Sequence, residues 1–353
     1  MKYPEILSFD DALLQLDSFD AIIDARSPSE YALDHLPGAI NAPVLDDAQR
    51  IAVGTMYKQV NAFEAKKVGA ALVAKNIGNH IEALWLDQPR DWRPLVYCWR
   101  GGNRSGAMAH ILAKIGWPVV QLDGGYKAFR AHVNAALEQP PPLRFQVMCG
   151  TTGSGKSRLL EVLHAQGAQV LDLERLAAHR GSVLGSLPSQ PQPSQKAFET
   201  RIWDTLRRFD PARPVFVESE SKKVGNLRVP AALMETMRAS DCISLTLSRA
   251  NRVRLLMEDY AHFTASPESL NEQLEFLAAL HGREKIKHWQ AMASGGAMAQ
   301  LVDELLAHHY DPAYLRSIDR NFVKFGQARP LELDAIDEQA FLAAALNLIA
   351  GVA

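Results

Sequence analysis

Cysteine is scarce: the chain of 353 residues has three, Cys98, Cys149 and Cys242. So few, and an odd number, cannot staple a secreted scaffold, and a reducing, cytoplasmic setting is expected, where a thiol stays free for chemistry. Long apolar runs are missing too. The longest, AFLAAALNLIAGVA at the C-terminus, falls short of the ~20 residues a membrane span needs. The opening MKYPEILSFDD has no basic region leading into an apolar core, so neither a span nor a secretory leader is expected. Nor is there an excess of charge of one sign: 38 basic residues face 40 acidic ones, for a net charge of −2. That excludes the global basic field of a non-specific nucleic-acid binder and confines any RNA contact to a local patch. What is present is an ordinary soluble composition, 47% hydrophobic and 22% charged, over a length that suits two domains at roughly 150 residues each.

From Ala21 onward short apolar runs alternate with longer stretches of helical spacing, which is the pattern of parallel sheets flanked by helices, so both halves read as α/β. AIIDA (21–25), PLVYC (94–98) and PVVQL (118–122) are strand candidates of a first series, with SGAMAHILAKIG (105–116) and YKAFRAHVNAAL (126–137) as its helices. Glu138-Gln139-Pro140-Pro141-Pro142 then ends any helix, because each proline lacks an N–H and fixes φ. This places a linker at 138–142, between a domain of residues 1–137 and one of residues 143–353. The second series is FQVMC (145–149), QVLDL (169–173), PVFVE (214–218) and CISLTL (242–247). Beyond about Arg249 the pattern turns mainly helical, and the proline-rich stretch 182–194 reads as a long loop.

Gly150-Thr151-Thr152-Gly153-Ser154-Gly155-Lys156-Ser157 fits G-x-x-x-x-G-K-[ST] without a mismatch, with an apolar strand before it and a helical run after it. In such a loop the glycines free a row of backbone N–H groups to curl around a polyphosphate, backed by the positive end of the next helix. Lys156 is then expected to neutralise the terminal phosphate, and Ser157 is a candidate Mg²⁺ ligand. The loop specifies a diphosphate but not the molecule that carries it. A Walker B strand normally ends in Asp, whereas PVFVE ends in Glu218. Glu218 and Asp172 are the candidate metal or diphosphate contacts, each equally readable as a strand-end carboxylate facing water.

Cys98-Trp99-Arg100-Gly101-Gly102-Asn103-Arg104-Ser105 follows another apolar strand and leads into a helix. A thiol at a helix N-terminus, close to the guanidinium groups of Arg100 and Arg104, should have its thiolate stabilised and so act as a nucleophile. Cys149 and Cys242 lack such a turn and read as small buried hydrophobes.

These motifs carry a resemblance. Asp24-Ala25-Arg26-Ser27 with His35-Leu36-Pro37-Gly38-Ala39-Ile40-Asn41, the loop Cys98 to Ser105, and Leu122-Asp123-Gly124-Gly125-Tyr126 resemble three rhodanese motifs, in family order. A rhodanese-like domain followed by a P-loop NTPase-like α/β domain with a mainly helical C-terminal part, carrying Asp172-Leu173-Glu174, His179-Arg180-Gly181-Ser182, Pro191 to Lys196 and Glu218-Ser219-Glu220-Ser221, resembles the bacterial tRNA 2-selenouridine synthases. The resemblance implies a transferase with no tightly bound cofactor. It would replace the sulfur of 2-thiouridine at the wobble position (U34) of lysine, glutamate and glutamine tRNAs by selenium from selenophosphate, through an S-geranylated intermediate made from geranyl diphosphate. It also implies Cys98 as the selenium-carrying nucleophile and Gly150 to Ser157 as the diphosphate cradle, with Mg²⁺ as a candidate ion.

One departure bears on this reading. Common single-domain rhodaneses read C-x-x-G-x-R, whereas here five residues separate Cys98 from Arg104, the C-x₅-R spacing of cysteine phosphatases. A phosphatase fused to a P-loop kinase is the rival enzyme class, and a non-catalytic nucleotide-sensing scaffold is a third reading. For tRNA the candidate cations are Arg249, Arg252 and Arg254, then Arg283, Lys285 and Lys287, then Arg316, Arg320 and Lys324, all of them also readable as solvated surface. Trp99 could stack on a flipped base or simply pack.

Overall fold

The computed structural model describes residues 3–181, 185, 190–261, 263 and 267–351. Part of the expected loop at 182–194 lies outside the described residues. The chain divides into two compact units, one of Met1–Ala136 with Ser194–Trp203, the other of Leu137–Pro193 with Asp204–Ala353. Ser194–Trp203, which the sequence pattern puts in the second domain, therefore clusters with the first. The cause is apolar spacing in the helix Gln195–Arg207, where Phe198, Ile202 and Trp203 need a core, and the Trp203 ring meets Phe129 edge-on at 5.6 Å.

The first unit is built on a parallel sheet of β1 (Glu5–Leu7), β2 (Ala21–Asp24), β3 (Ala39–Asn41), β4 (Pro94–Tyr97) and β5 (Val120–Leu122), in the order β1-β5-β4-β2-β3. β4 is buried at every residue, as a strand covered on both faces must be, and pairs Leu95 with both Ile22 and Val120. PVVQL is two residues shorter as a strand than its apolar run, because Pro118 has no N–H to give a ladder. Between β3 and β4 the chain inserts two helices that the strand pattern did not announce, Asp47–Gln59 and Ala62–His80. The first is capped by Asp46, which accepts from Gln49 N–H at 2.7 Å, and the second by Asn61, which accepts from Glu64 N–H at 2.8 Å.

The second unit holds another parallel sheet: β6 (Phe145–Cys149), β7 (Gln169–Leu171), β8 (Val215–Glu218), β11 (Asp241–Leu247) and β12 (Arg329–Leu333), in the order β12-β11-β6-β8-β7. A short antiparallel pair, β9 (Lys223–Val224) and β10 (Leu227–Arg228), stands apart. From β6 the chain runs to one side through β7 and β8, then crosses to the other through β11 and β12. The carboxyl end of β6 is thus the point where strand order reverses, and such a point opens a crevice for a ligand. Asp172 and Leu173, read as strand from QVLDL, instead start the helix Leu173–Ala177, with Asp172 capping it by accepting from Arg175 N–H at 2.8 Å. Among the described residues after Arg249 the elements are helices apart from β12, the edge strand, whose Arg329-Pro330-Leu331-Glu332-Leu333 showed no apolar run. Among the described residues no helix is long and apolar enough to cross a membrane.

Candidate functional site

β4 delivers Cys98 to the carboxyl edge of the first sheet. The residue is 3% exposed, and its Sγ accepts a hydrogen bond from Ser105 Oγ at 3.2 Å. Ser105 belongs to the first turn of the helix Asn103–Ile115, so the sulfur lies at the positive end of that helix. Two glycines let the loop close. A Cβ on Gly101 (φ +67°) would sit 2.5 Å from Leu122 O, and one on Gly125 (φ +54°) would sit 2.2 Å from Cys98 O and 2.6 Å from Gly101 N. The backbone of Leu122 to Tyr126 is thus pressed onto the cysteine loop, with Tyr126 N–H donating to Cys98 O at 2.8 Å and Lys127 N–H to Trp99 O at 3.0 Å. Only hydrogen fits at those two positions.

The two loop arginines part company. Arg104 turns to Glu30, Nη1 to Oε2 at 2.8 Å. Burial pulls the Glu30 carboxyl up, but the hydrogen bond and charge of Arg104 outweigh it and leave the group ionising below its usual range. Arg100 is exposed at the rim. Trp99, 36% exposed, lies with its ring 5.3 Å from that of Tyr126.

Sequence reasoning matched the Asp24-Ala25-Arg26 motif but missed what it does. Arg26 is buried and bonds Asp24 through Nη2 at 2.6 Å and Nε at 3.0 Å, and donates to Asp34 O at 2.6 Å. Tyr97, on β4 one residue before the cysteine, donates to Asp24 Oδ2 at 2.8 Å. Tyr126 donates to Asp34 Oδ2 at 2.8 Å, with the Arg26 guanidinium 4.0 Å over its ring. Thr200 donates to the same Asp34 oxygen at 3.1 Å. A buried network in which every charge is paired fixes the residues on either side of Cys98, and losing one partner would leave another charge stranded.

In the second unit Gly150 to Ser157 follows β6 and passes into the helix Lys156–Ala165, with Gly153 (φ +76°) and Gly155 (φ +90°) in left-handed backbone. Lys156 Nζ folds back onto Gly150 O at 2.7 Å. Tyr314 accepts from Gly150 N–H at 2.5 Å. Arg252, one of the RNA candidates, is buried instead: it donates to Thr152 O at 2.7 Å and pairs with Asp311 at 2.6 Å, bracing the loop from behind. Of the other candidates, Arg249 pairs with Asp303, Lys285 with Glu304 at 2.6 Å and Lys324 with Asp241 at 2.8 Å. Arg283, Lys287, Arg316 and Arg320 are exposed.

The loop opens on a cleft of about 670 Å³ whose lining includes Lys156, Ser157, Asp172, Glu174, Glu218 and Glu220. Ligand oxygens of Glu174, Glu218 and Glu220 lie within 4.8 Å of one another, and Ser157 Oγ donates to Glu174 at 3.2 Å. Burial first, then repulsion from neighbouring carboxylates, raises Glu174 to about 8 and Glu218 well above its ordinary value, and burial raises Glu220. Glu218 Oε1 is buried with no hydrogen-bond partner, and so is Ser154 Oγ in the loop itself. Three crowded acids, one orphaned oxygen and a serine hydroxyl form an oxygen donor set suited to a hard divalent cation, so the residues fit Mg²⁺. Glu174 and Glu220 were quoted from sequence only within the motifs Asp172-Leu173-Glu174 and Glu218-Ser219-Glu220-Ser221 and not as metal contacts, although the alternation Glu218-Ser219-Glu220 was a signal. Asp172 lines the cleft but spends its carboxylate on the helix cap.

Residues 143–288 match the model of the tRNA 2-selenouridine synthase AAA domain, and residues 8–132 match that of the rhodanese-like domain. A tRNA 2-selenouridine synthase of Nitrosomonas europaea is 36% identical over 265 residues, spanning 74% of this chain and 68% of that protein. Another, of a Sulfurovum species, is 30% identical over 346 residues, spanning 88% of this chain and 93% of its own length. A solved rhodanese-related protein from Thermoplasma volcanium aligns with 37% of this chain and 93% of its own, at 18% identity and a TM-score of 0.25.

Proposed function

The chain belongs to the tRNA 2-selenouridine synthase family, and from that premise we propose that it is a tRNA-modifying transferase that converts 2-thiouridine at the wobble position to 2-selenouridine in two steps, each served by one of its two sites. The observation that carries the reading is the pairing, in one chain, of a buried thiol at a helix N-terminus with a glycine-rich G-x-x-x-x-G-K-S loop beside a carboxylate cluster.

In the first step the thiocarbonyl sulfur attacks C1 of geranyl diphosphate. The C–O bond breaks, pyrophosphate leaves and the uracil N3 proton is lost, giving neutral S-geranyl-2-thiouridine. Lys156 swings from Gly150 O onto the departing diphosphate, and the loop N–H groups hold its oxygens. Ser157, Glu174 and Glu218 would hold Mg²⁺, which supplies neutralising charge to a diphosphate when bound. In the second step the Cys98 thiolate attacks the phosphorus of selenophosphate, forming an S–P bond as the Se–P bond breaks; the selenide released at the cysteine loop attacks C2, now electrophilic because its sulfur is alkylated, geranylthiol departs, and water hydrolyses the S–P bond to restore the thiol. The net change consumes selenophosphate and water and yields phosphate, so no oxidant is needed. Arg100 and the half-exposed Trp99 stand at the mouth of the loop, placed to meet a phosphate and a base. Arg104 serves the loop by holding Glu30. That pairing disfavours the phosphatase reading, which needs the arginine on a bound phosphate.

The test is purified protein with thiolated lysine, glutamate or glutamine tRNA, geranyl diphosphate and selenophosphate, read by nucleoside mass spectrometry. Cys98→Ser should accumulate the S-geranyl nucleoside without selenation, and Lys156→Ala should lose about 100-fold or more in geranylation. Wild-type selenation by Cys98→Ser would overturn the reading.

A further inference from the structure

The cleft beside the phosphate loop continues into a second space of different chemistry. Thr152, Leu256, Tyr260 and Tyr310 line both the cleft and an apolar pocket next to it. Behind that common wall the pocket is bounded by Met257, Met298, Leu301, Val302 and Leu305. One helix, Arg249–Asp259, organises the boundary and leads on to Tyr260. Arg252, Leu256 and Tyr260 are spaced four apart on one face, so the residue that braces the phosphate loop and two that wall the pocket form a single row. The loop is pressed against that row, since a Cβ on Gly153 would meet the Leu256 side chain at 2.9 Å. Phe263 and Leu270 complete the wall with Leu306 and Tyr310 of a π-helical turn, Leu306–Tyr310, and such turns recur where helices are shaped around ligands.

Resting on the reading that the loop grips a diphosphate, we propose that this pocket receives the hydrocarbon chain of that diphosphate, and that Met257, Val302 and Leu305 set the chain length it accepts. A nucleotide base needs hydrogen-bonding partners, and behind the shared wall the pocket offers aliphatic and thioether groups and the Phe263 ring, none of them a hydrogen-bonding partner for a base. Its cavity volume is about 60 Å³, less than ten carbons occupy. The near part of the chain therefore lies against Leu256 and Tyr260 in the open cleft, and only its far end enters between Met257 and Met298, whose unbranched side chains re-pack readily. Each buried methylene is worth about fourfold in affinity.

Calorimetric titration without tRNA tests this, using geranyl diphosphate, farnesyl diphosphate and inorganic pyrophosphate with the wild type and with Val302→Trp, Met257→Trp and Leu305→Ala. The wild type should bind geranyl diphosphate about 100-fold tighter than pyrophosphate. Either tryptophan should remove at least about tenfold of that preference while leaving pyrophosphate binding unchanged, which also shows that the variant is folded. Leu305→Ala, which widens the pocket, should improve farnesyl diphosphate relative to geranyl diphosphate. If the wild type prefers geranyl diphosphate and all three variants keep its selectivity, the pocket assignment is overturned while the diphosphate reading stands. If the wild type binds geranyl diphosphate no better than pyrophosphate, the pocket assignment also falls; if it binds neither, the diphosphate reading falls with it.

Discussion

Replacing Gly125 by alanine puts a methyl group 2.2 Å from the Cys98 carbonyl oxygen and 2.6 Å from Gly101 N, both of them backbone atoms that cannot swing aside. The φ of +54° adds about 1–2 kcal/mol for a residue with a Cβ. Overpacking adds about 1–3 kcal/mol, so the total is about 2–5 kcal/mol. For a domain of this size that lowers the melting temperature of the first unit by about 5–15 °C. Relaxing the contact moves the Cys98 backbone by about 1 Å, and a displacement of that size at a reacting group costs about 100-fold in rate. The control is Gly38→Ala, because Gly38 shares the left-handed backbone (φ +73°) but has nothing within 4 Å of its would-be Cβ. It should cost about 1 kcal/mol and leave selenium transfer unchanged. Thermal unfolding followed by circular dichroism, together with single-turnover nucleoside mass spectrometry, reads both variants. If Gly125→Ala melts and turns over like Gly38→Ala, the close approach of the two loops is not what positions the thiol.

Two further outcomes follow from buried or paired charges. Arg252→Ala strands Asp311 and frees Thr152 O, so it should destabilise the second unit by about 2 kcal/mol and weaken diphosphate binding about tenfold, with tRNA affinity unchanged in a filter-binding assay; selective loss of tRNA binding would return this residue to the RNA surface. Glu304 accepts from Lys285 and Trp289, which hold its carboxyl down at about 2. Its folded value lies below the unfolded one near 4.5, so its contribution is present above about pH 4.5 and is lost as pH falls through about 2. Because the group is 29% exposed, solvent screening reduces that contribution to about 1 kcal/mol. Urea unfolding of Glu304→Gln should show that deficit at pH 7 and a much smaller one at pH 2, and a deficit independent of pH would refute the assignment.

Much of this molecule was legible in the order of its residues. The phosphate loop, the cysteine loop and most of the sheet strands announced themselves because each depends on local requirements: glycines where the backbone must curl, an apolar run where a strand is covered on both faces, a helix directly after an anion-binding turn. Strands without an apolar run, such as Arg329–Leu333, and the helical insertion at 47–80 did not, since edge position and amphipathic packing leave weaker patterns. Tertiary structure alone decided where charged side chains end up. Arg252 and Arg104 look alike in sequence, yet one braces the phosphate loop and the other is held by Glu30, because each guanidinium goes to whichever carboxylate or carbonyl the fold brings within reach. Glu174, Glu218 and Glu220 become a cluster only when the carboxyl end of β8 meets the start of a helix 44 residues earlier in the chain. Ser194–Trp203 was likewise claimed by a unit its position in the chain did not indicate, since burial of Phe198, Ile202 and Trp203 depends on the nearest apolar surface in space and not on distance along the sequence.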